Sequence, residues 1–291
     1  MSDKSELLTT YKQAAREVAD LYAAMPTVTS VVIGGSLARS FVDKNSDIEM
    51  YVYYENTLPS EEQIKDILHK LHAPLTRSKK VHWYHSAWGY HTFFRYNGIK
   101  FELGYRDVHE TYVRMKDFFS EFSLPKHGIH DTPFGHYESG VASCISECVI
   151  LVDKKDQLRD LKKYVADYPH SQIKANTYNY YIRDAKTILQ VKAKYAAVRN
   201  DTYNFNACIA RAIRSLVIAL FTVNNTFYPG DKWNGEYISK FEHKPVNFES
   251  RIEGIIHGSF VSVTQKKQGY NQLLELANEV SHTLSFSRMI Y

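Results

Sequence analysis

Apolar and polar positions alternate with two different periods along the first half of the chain. Apolar residues at helical spacing predict helices over residues 5–24, 60–72, 109–122, 138–147 and 157–165. Short apolar runs bounded by turn residues predict strands over residues 28–33, 50–54, 90–96, 99–106 and 148–152. The dipeptide Asn97-Gly98 separates two of these strands and predicts a two-residue hairpin turn.

The second half of the chain shows only the helical period. Long helices are predicted over residues 173–198, 204–223 and 263–284. The middle one is apolar nearly all round, as expected for the buried helix of a bundle. The pattern therefore predicts an α+β fold, with an N-terminal mixed β-sheet and flanking helices over residues 1–168, followed by a C-terminal α-helical bundle over residues 169–291.

Composition limits the classes of protein that the chain can form. With 44% hydrophobic and 23% charged residues among 291, both halves have enough apolar side chains for a folded core. No apolar run reaches the ~20 residues of a membrane-spanning helix, and the N-terminus lacks the apolar centre of a signal peptide. A soluble cytoplasmic protein is therefore expected. A net charge of +4 is too small to indicate nucleic acid binding by itself, although it suits a bound triphosphate.

The cysteines and histidines do not form a metal-binding pattern. The cysteines are odd in number and lack a Cys-x-x-Cys pair, so buried, reduced thiols are expected at Cys144, Cys148 and Cys208. One loop contains several histidines, but no cysteine or His-Glu-x-x-His pattern accompanies His127, His130 and His136. A zinc site is therefore not predicted.

The segment 31–54 carries the most specific pattern in the chain. An apolar strand ends at Gly34-Gly35-Ser36, where residues without Cβ let the backbone turn sharply and approach a ligand closely. The Ser36 hydroxyl and the surrounding amides can form a concave anion site. Asp47 and Glu49 open the next strand and share one of its faces. Two like charges on one face favour a divalent cation; the alternative is an edge strand with two solvated acids.

This arrangement resembles the signature of the nucleotidyltransferase superfamily, which has the polymerase-β-like fold. The signature is a Gly-Ser pair followed by Asp-x-Asp/Glu at the start of a strand, here Gly35-Ser36 and Asp47-Ile48-Glu49. The segments GGSLARS and SDIEM most closely resemble the corresponding segments of small bacterial adenylyltransferases that modify aminoglycoside or lincosamide antibiotics. The resemblance implies a nucleotidyltransferase-type sheet in the first half of the chain.

The resemblance also implies roles for individual residues. Asp47 and Glu49 are expected to hold Mg²⁺ or Mn²⁺. ATP or another nucleoside triphosphate is expected to bind at the residues that share the glycine turn and its flanks, namely Gly34, Gly35, Ser36, Arg39 and Ser46.

Glu102 is the candidate for a third acid in this site. Apolar residues flank it on a neighbouring predicted strand, and an acid in this setting completes the metal site and acts as general base in the resembled family. One alternative is a solvated strand acid paired with Lys100 or Arg106, and another places Asp107 in the role. Two of the three acids, Glu49 and Glu102, are Glu at positions where the resembled family more often has Asp. Because a Glu side chain is longer, the backbone must lie farther from the metal to place each carboxylate correctly.

The segment 224–233, NNTFYPGDKW, resembles a loop that follows the second bundle helix of antibiotic adenylyltransferases. That loop faces the nucleotide in the resembled group, which implies that Tyr228 and Lys232 contact the nucleotide here. The positive charge of Lys232 suits a phosphate. The alternative is a capped helix end with a surface lysine.

The implied activity is metal-dependent transfer of AMP, or another nucleoside monophosphate, from the triphosphate to a hydroxyl of a small-molecule acceptor, with an antibiotic as one candidate. The expected chain is a monomer or homodimer that binds no membrane. Nucleic acid is not expected as a partner, because no long basic and aromatic stretch stands out. Two alternatives stay open: a related fold that binds nucleotide without turnover, and an enzyme that modifies protein or tRNA.

Overall fold

The computed structural model describes residues 2–77, 79–82, 84–86, 89–126, 134–168, 171–230, 232, 234–258 and 260–282. The chain divides into two compact units. The units share the chain as Met1–Phe118 with Pro125–Asp167, and Phe119–Leu124 with Tyr168–Tyr291. The first unit holds a mixed β-sheet with flanking helices and the second is helical, which confirms the predicted α+β class.

Six strands form the sheet of the first unit. They are β1 (Val28–Ile33), β2 (Ile48–Tyr54), β3 (Tyr84–Ser86), β4 (Gly89–Tyr96), β5 (Ile99–Asp107) and β6 (Val149–Asp153). Their order is β3-β4-β5-β2-β1-β6. β2 and β5 pair in parallel, and the other neighbours pair antiparallel. The sequence did not predict β3, because three residues are too few to show a period.

The helices of the first unit flank this sheet. They are α1 (Ser2–Ala23), α2 (Gly35–Ala38), α3 (Glu61–Lys70), α4 (Val108–Ser120), α5 (Glu138–Glu147) and α6 (Gln157–Ala166). A capping box begins α3, with the Ser60 hydroxyl accepting from the Gln63 amide and the Gln63 side chain accepting from the Ser60 amide. The sequence did not predict α2, which is a single turn.

One face of the sheet carries the apolar core of the first unit. Side chains of β1, β2 and β5 that alternate along their strands pack there against α1 and α3. Val31, Met50 and Leu103 are fully buried examples. The packing of Phe94 on Phe101, with ring centroids 5.0 Å apart, extends this core to β4. The remaining side chains of the same strands must therefore lie on the opposite face.

The predicted hairpin turn joins β4 and β5. Asn97 and Gly98 both have positive φ, at 49° and 77°, which matches the twist of the two strands. Because the loop has two residues, it fixes the register of the strands, with Tyr96 opposite Ile99 and Phe93 opposite Glu102.

The second unit is built from the remaining helices. They are α7 (Gln172–Thr187), a π-helical segment (Ile188–Ala193), α8 (Lys194–Val198), α9 (Thr202–Val223), α10 (Asn234–Ile238), α11 (Phe248–His257) and α12 (Val263–His282). The single helix predicted over 173–198 is therefore helical throughout but interrupted by the π-helical segment. The short α10 and α11 were not predicted. Residue 284, the predicted end of the last helix, lies outside the described residues, as does Pro169 at the predicted boundary.

The central helix of this unit is α9. Its N-terminus is capped by Asp201, whose carboxylate accepts from the Asn204 amide at 3.1 Å. Among the described residues, α9 is the one helix that is long and apolar enough to cross a membrane, but 67% of its apolar window is buried inside the structure. Burial of this kind is expected for a core helix.

Candidate active site

The sheet face opposite the apolar core carries a cluster of polar and aromatic side chains. Their positions follow from the strand register. Glu49 lies beside Glu102 in the parallel pair, and Phe93 lies on the other side of Glu102. The next row along the strands consists of Tyr51, Gly104 and His91. The two glutamates that the sequence placed in one site are therefore direct neighbours on adjacent strands.

The glycine turn closes against Glu49. The Gly34 amide donates to the Glu49 carbonyl at 2.8 Å, which ties the turn to β2. Gly35 has a φ of +56°, and a Cβ built on it would lie 2.5 Å from Cδ and Oε2 of Glu49. The carboxylate therefore occupies the space that a side chain at position 35 would fill. Ser36 follows as a buried residue of α2.

Glu49 and Glu102 both lie close enough to Tyr51 to affect the pKa of its hydroxyl group. Burial raises the pKa of Tyr51 well above its ordinary value, and the nearby charges of Glu49 and Glu102 raise it further. The Tyr51 ring fits between two glycines, since a Cβ on Gly34 or Gly104 would lie 2.5 or 2.8 Å from its ring carbons. The small residues on both sides thus let Tyr51 pack in the row next to the two carboxylates.

Asp47 lies near Tyr11 of α1. The Tyr11 hydroxyl of α1 donates to the Ser46 carbonyl at 3.3 Å. The pKa of Tyr11 is raised by its burial and then by the charges of Asp43 and Asp47. Within the described part of the chain, no group of three or more His, Cys, Asp or Glu side chains is arranged to hold a metal ion. The structure therefore brings Glu49 and Glu102 together and leaves Asp47 at the start of β2, beside α1.

His91 is a site residue that the sequence did not indicate. Its Nδ1 lies 3.0 Å from Oε1 of Glu102, and the side chain is buried. The imidazole stacks on Phe93, with ring centroids 6.0 Å apart and planes inclined by 15°. The side chain close to the Glu102 carboxylate is thus a histidine of β4, not Lys100 or Arg106. Only the register set by the Asn97-Gly98 turn could have revealed it.

Arg106 is a buried cation in the same face. Its Cζ lies 3.7 Å from the centroid of the Tyr51 ring, and its Nη1 donates to the Tyr53 hydroxyl at 3.2 Å. A guanidinium stacked on an aromatic ring is a stabilising arrangement. Arg106 therefore packs on Tyr51, the ring in the row next to the glutamates.

Two predicted nucleotide-binding residues make contacts within the protein. Arg39 donates to the Glu147 carboxylate at 2.6 Å and to the Ser143 hydroxyl at 3.3 Å, which joins the end of α2 to α5. The Ser46 hydroxyl accepts from the Asp43 amide at 3.0 Å and closes the turn before β2. Both side chains thereby fix the geometry of the glycine turn and of the approach to Asp47.

The other two predicted nucleotide-binding residues lie in the second unit. Tyr228 is buried, with its ring edge-on to Phe221 at a centroid distance of 5.6 Å, whereas Lys232 is exposed. The loop is anchored by Asn225, which has a φ of +55° and accepts from the Lys174 ammonium. Asp231 and Trp233 of the predicted loop lie outside the described residues.

The predicted thiols are buried and unpaired in the structure at Cys144, Cys148 and Cys208. Burial raises the pKa of Cys148 to about 12, so it is not a reactive thiolate. Of the three loop histidines, His136 accepts a hydrogen bond from Arg114 at 2.6 Å. His127 and His130 lie outside the described residues.

Comparison with known proteins gives limited information. A family model described as a domain of unknown function (DUF4037) matches residues 136–234, a range that excludes the glycine turn and both glutamates. No curated protein matches the chain significantly. Among solved structures, the chain is similar to the crystal structure of a nucleotidyltransferase-like protein from Exiguobacterium sibiricum 255-15, with a TM-score of 0.44 and 12% identity. The similarity covers 96% of this chain and 78% of that chain.

Proposed function

We propose that this chain is a nucleotidyltransferase, which moves a nucleoside monophosphate group from ATP or another nucleoside triphosphate to a hydroxyl of a small-molecule acceptor. The observation that carries the proposal is the packing of the Glu49 carboxylate against Gly35, with Glu102 directly beside it on β5. This arrangement combines a tight backbone turn with two neighbouring acids. Phosphoryl chemistry needs both features.

The acids fit a divalent cation by their chemistry. Carboxylate oxygens are the ligands that Mg²⁺ and Mn²⁺ prefer, and two like charges in adjacent register favour a positive counter-charge between them. We propose that Glu49 is the main ligand of the cation, that Asp47 joins it when nucleotide is bound, and that Glu102 lies at the edge of this site as the base. Such a cation supplies charge neutralisation for the phosphates and lowers the pKa of the acceptor hydroxyl.

The chain's own residues have separate tasks in the proposed reaction. The phosphates bind at the backbone of the glycine turn, on the side of Gly35 where the Glu49 carboxylate places the cation. Glu102 accepts the proton of the acceptor hydroxyl as a general base. The acceptor oxygen then forms a bond to the α-phosphorus, while the bond from that phosphorus to pyrophosphate breaks. The buried His91 imidazole, with Nδ1 3.0 Å from the Glu102 carboxylate, limits the positions that this carboxylate can take.

Substitution of Glu49 by glutamine tests the metal and nucleotide site. We expect Mg²⁺-dependent ATP binding, measured by calorimetry with and without Mg²⁺, to weaken at least about tenfold because a charged ligand is lost. The matched control is Glu62→Gln, which removes an exposed acid of α3 and should leave binding unchanged. Equal Mg²⁺-dependent affinities of Glu49→Gln and wild type would rule out the assignment. ATP binding without pyrophosphate release for any acceptor would favour a nucleotide-binding protein without turnover.

A pair of substitutions at His91 tests its positioning role. His91→Asn keeps a polar group near the position of Nδ1, whereas His91→Leu removes the polar group and keeps an apolar side chain against Phe93. We expect kcat for nucleotidyl transfer to fall in His91→Leu while the KM values stay unchanged, because Glu102 loses a neighbour that fixes its position. The kcat of His91→Asn should stay close to wild type. Equal kcat values for both variants would assign His91 to packing alone.

A further inference from the structure

The segment that precedes Glu102 is unusually basic. Residues 67–101 contain four Lys and two Arg but no Asp or Glu, so Glu102 is the first acid after Asp66. The whole chain has a net charge of only +4. The positive charge of this segment therefore exceeds the net charge of the entire protein.

The outer edge of β4 positions one of these cations, Arg77. Residues 74–76 pair with it like a short additional strand: the Thr76 amide donates to the Phe93 carbonyl at 3.0 Å, and the Arg95 amide donates to the Pro74 carbonyl at 3.0 Å. The chain leaves this pairing at Arg77, whose Cζ lies 4.1 Å from the centroid of the Phe93 ring. Phe93 is the direct neighbour of Glu102 across the sheet, so Arg77 lies on the face that carries the acids.

An open cleft of about 480 Å³ lies at this place. The described residues that line it are Leu75, Thr76, Arg77 and Lys79. Its size falls within the range of small-molecule sites, about 300–1,000 Å³. The two charged residues of the lining are cations with exposed side chains. Such a cleft attracts an anion, and Arg77 can form two parallel hydrogen bonds to one phosphate or carboxylate.

The order of groups across the sheet assigns the cleft to one of the two substrates. Across the sheet, the groups follow one another in the spatial order glycine turn, Glu49, Glu102, Phe93 and Arg77. Adjacent strands are separated by about 4.8 Å, so the turn and Arg77 lie on opposite sides of the acid pair. An in-line displacement requires the attacking oxygen and the leaving pyrophosphate to lie on opposite sides of the phosphorus. If the triphosphate lies at the glycine turn, the acceptor comes from the side of Arg77.

We propose that this cleft is the acceptor subsite and that the acceptor is a small hydroxyl compound carrying a phosphate or carboxylate group, which binds Arg77 and Lys79. The inference rests on the proposed nucleotidyl transfer for the order of the substrates. It places the hydroxyl that reacts next to Glu102 and the anionic group over the Arg77 side of Phe93. A polycationic acceptor, such as an aminoglycoside, would be repelled by the same lining.

Binding titrations test this subsite without turnover. The probes are glycerol, ribose and glucose, each compared with its monophosphate, namely glycerol 3-phosphate, ribose 5-phosphate and glucose 6-phosphate. We expect at least one monophosphate to bind wild-type protein at least about tenfold more tightly than its neutral partner, and the double variant Arg77→Gln/Lys79→Gln to lose that preference. The affinity for Mg²⁺-ATP should stay within about twofold in the double variant, since the phosphates of ATP are assigned to the glycine turn.

Two further variants separate this proposal from the proposed activity. Lys70→Gln removes a cation of the same basic segment from α3, the helix that packs on the opposite face, and should change neither titration. Glu49→Gln should weaken ATP binding but retain the preference for the monophosphate. If that preference persists while wild type transfers no nucleotide to any acceptor, the activity is refuted and the anion site stands.

Three results would overturn the subsite. The first is the absence of any preference for a monophosphate in wild-type protein. The second is a large loss of ATP affinity in Arg77→Gln/Lys79→Gln, which would assign the cations to the triphosphate. The third is tighter binding of a single-stranded ten-nucleotide RNA than of every sugar phosphate, lost in the same double variant, which would assign the basic segment to nucleic acid.

Discussion

Replacement of Gly35 by alanine should reduce the affinity for Mg²⁺-ATP by about 100-fold or more. The added Cβ would lie 2.5 Å from Cδ and Oε2 of Glu49, so the carboxylate must leave its position or the turn must open. The backbone conformation, with a φ of +56°, adds about 1–2 kcal/mol of strain for an L-residue. Both changes act on the groups that the proposed function assigns to the metal and the phosphates. Calorimetric titration of ATP in the presence of Mg²⁺ measures the loss.

Gly98→Ala is the matched control for this experiment. Gly98 also has a positive φ, +77°, but a Cβ at this position meets nothing within 4 Å. The variant therefore has comparable backbone strain without a collision with Glu49. Thermal unfolding of both variants should show similar destabilisation, whereas only Gly35→Ala should lose nucleotide. Normal ATP binding by Gly35→Ala would mean that the glycine turn is only a structural turn.

Glu102→Gln should lower the rate of nucleotidyl transfer by ~10²–10⁴-fold, the range usual for loss of a general base. The amide keeps the size of the side chain and one oxygen that can lie beside Nδ1 of His91. ATP binding should therefore change little. Pyrophosphate release at saturating substrate measures the rate, and calorimetry measures binding, with Glu62→Gln as the control for loss of one negative charge.

Other outcomes for Glu102→Gln have distinct meanings. If Glu102 is mainly a metal ligand, Mg²⁺-dependent ATP affinity should fall together with the rate. If Glu102 is only the structural partner of His91, rate and affinity should change by a small factor, and the thermal stability of the sheet should fall. A rate within about threefold of wild type would contradict the assignment as base.

The local pattern was sufficient to predict the elements that carry the glutamates. Alternating side chains identified β5, and the Asn97-Gly98 turn identified its hairpin with β4, because both signals arise within a few residues of sequence. The period of a strand also predicted a shared face for Asp47 and Glu49. It could not predict the direct adjacency of Glu49 and Glu102, since this depends on a parallel pairing between strands that are separated by α3, β3 and β4.

The supporting residues could not be predicted for the same reason. His91 meets Glu102 only through the pairing of β4 with β5, and Tyr51 fits between Gly34 and Gly104 only when three strands are assembled. Neither contact has a signature in one stretch of sequence. The same holds for Arg39. The resemblance implied a contact with the nucleotide, and the structure shows an ion pair with Glu147, a residue too distant in sequence for the local pattern to indicate it.

The two-residue hairpin has a consequence for how sequences of this kind can diverge. Asn97 and Gly98 are exposed and lie several residues from Glu102, yet their number decides which side chain of β4 stands beside that carboxylate. A change in loop length by one residue would bring an apolar core position next to Glu102 and turn His91 and Phe93 toward the core. Most surface loops tolerate insertions and deletions. This one is expected to keep its length for as long as lineages retain the chemistry, even where its two residue types change.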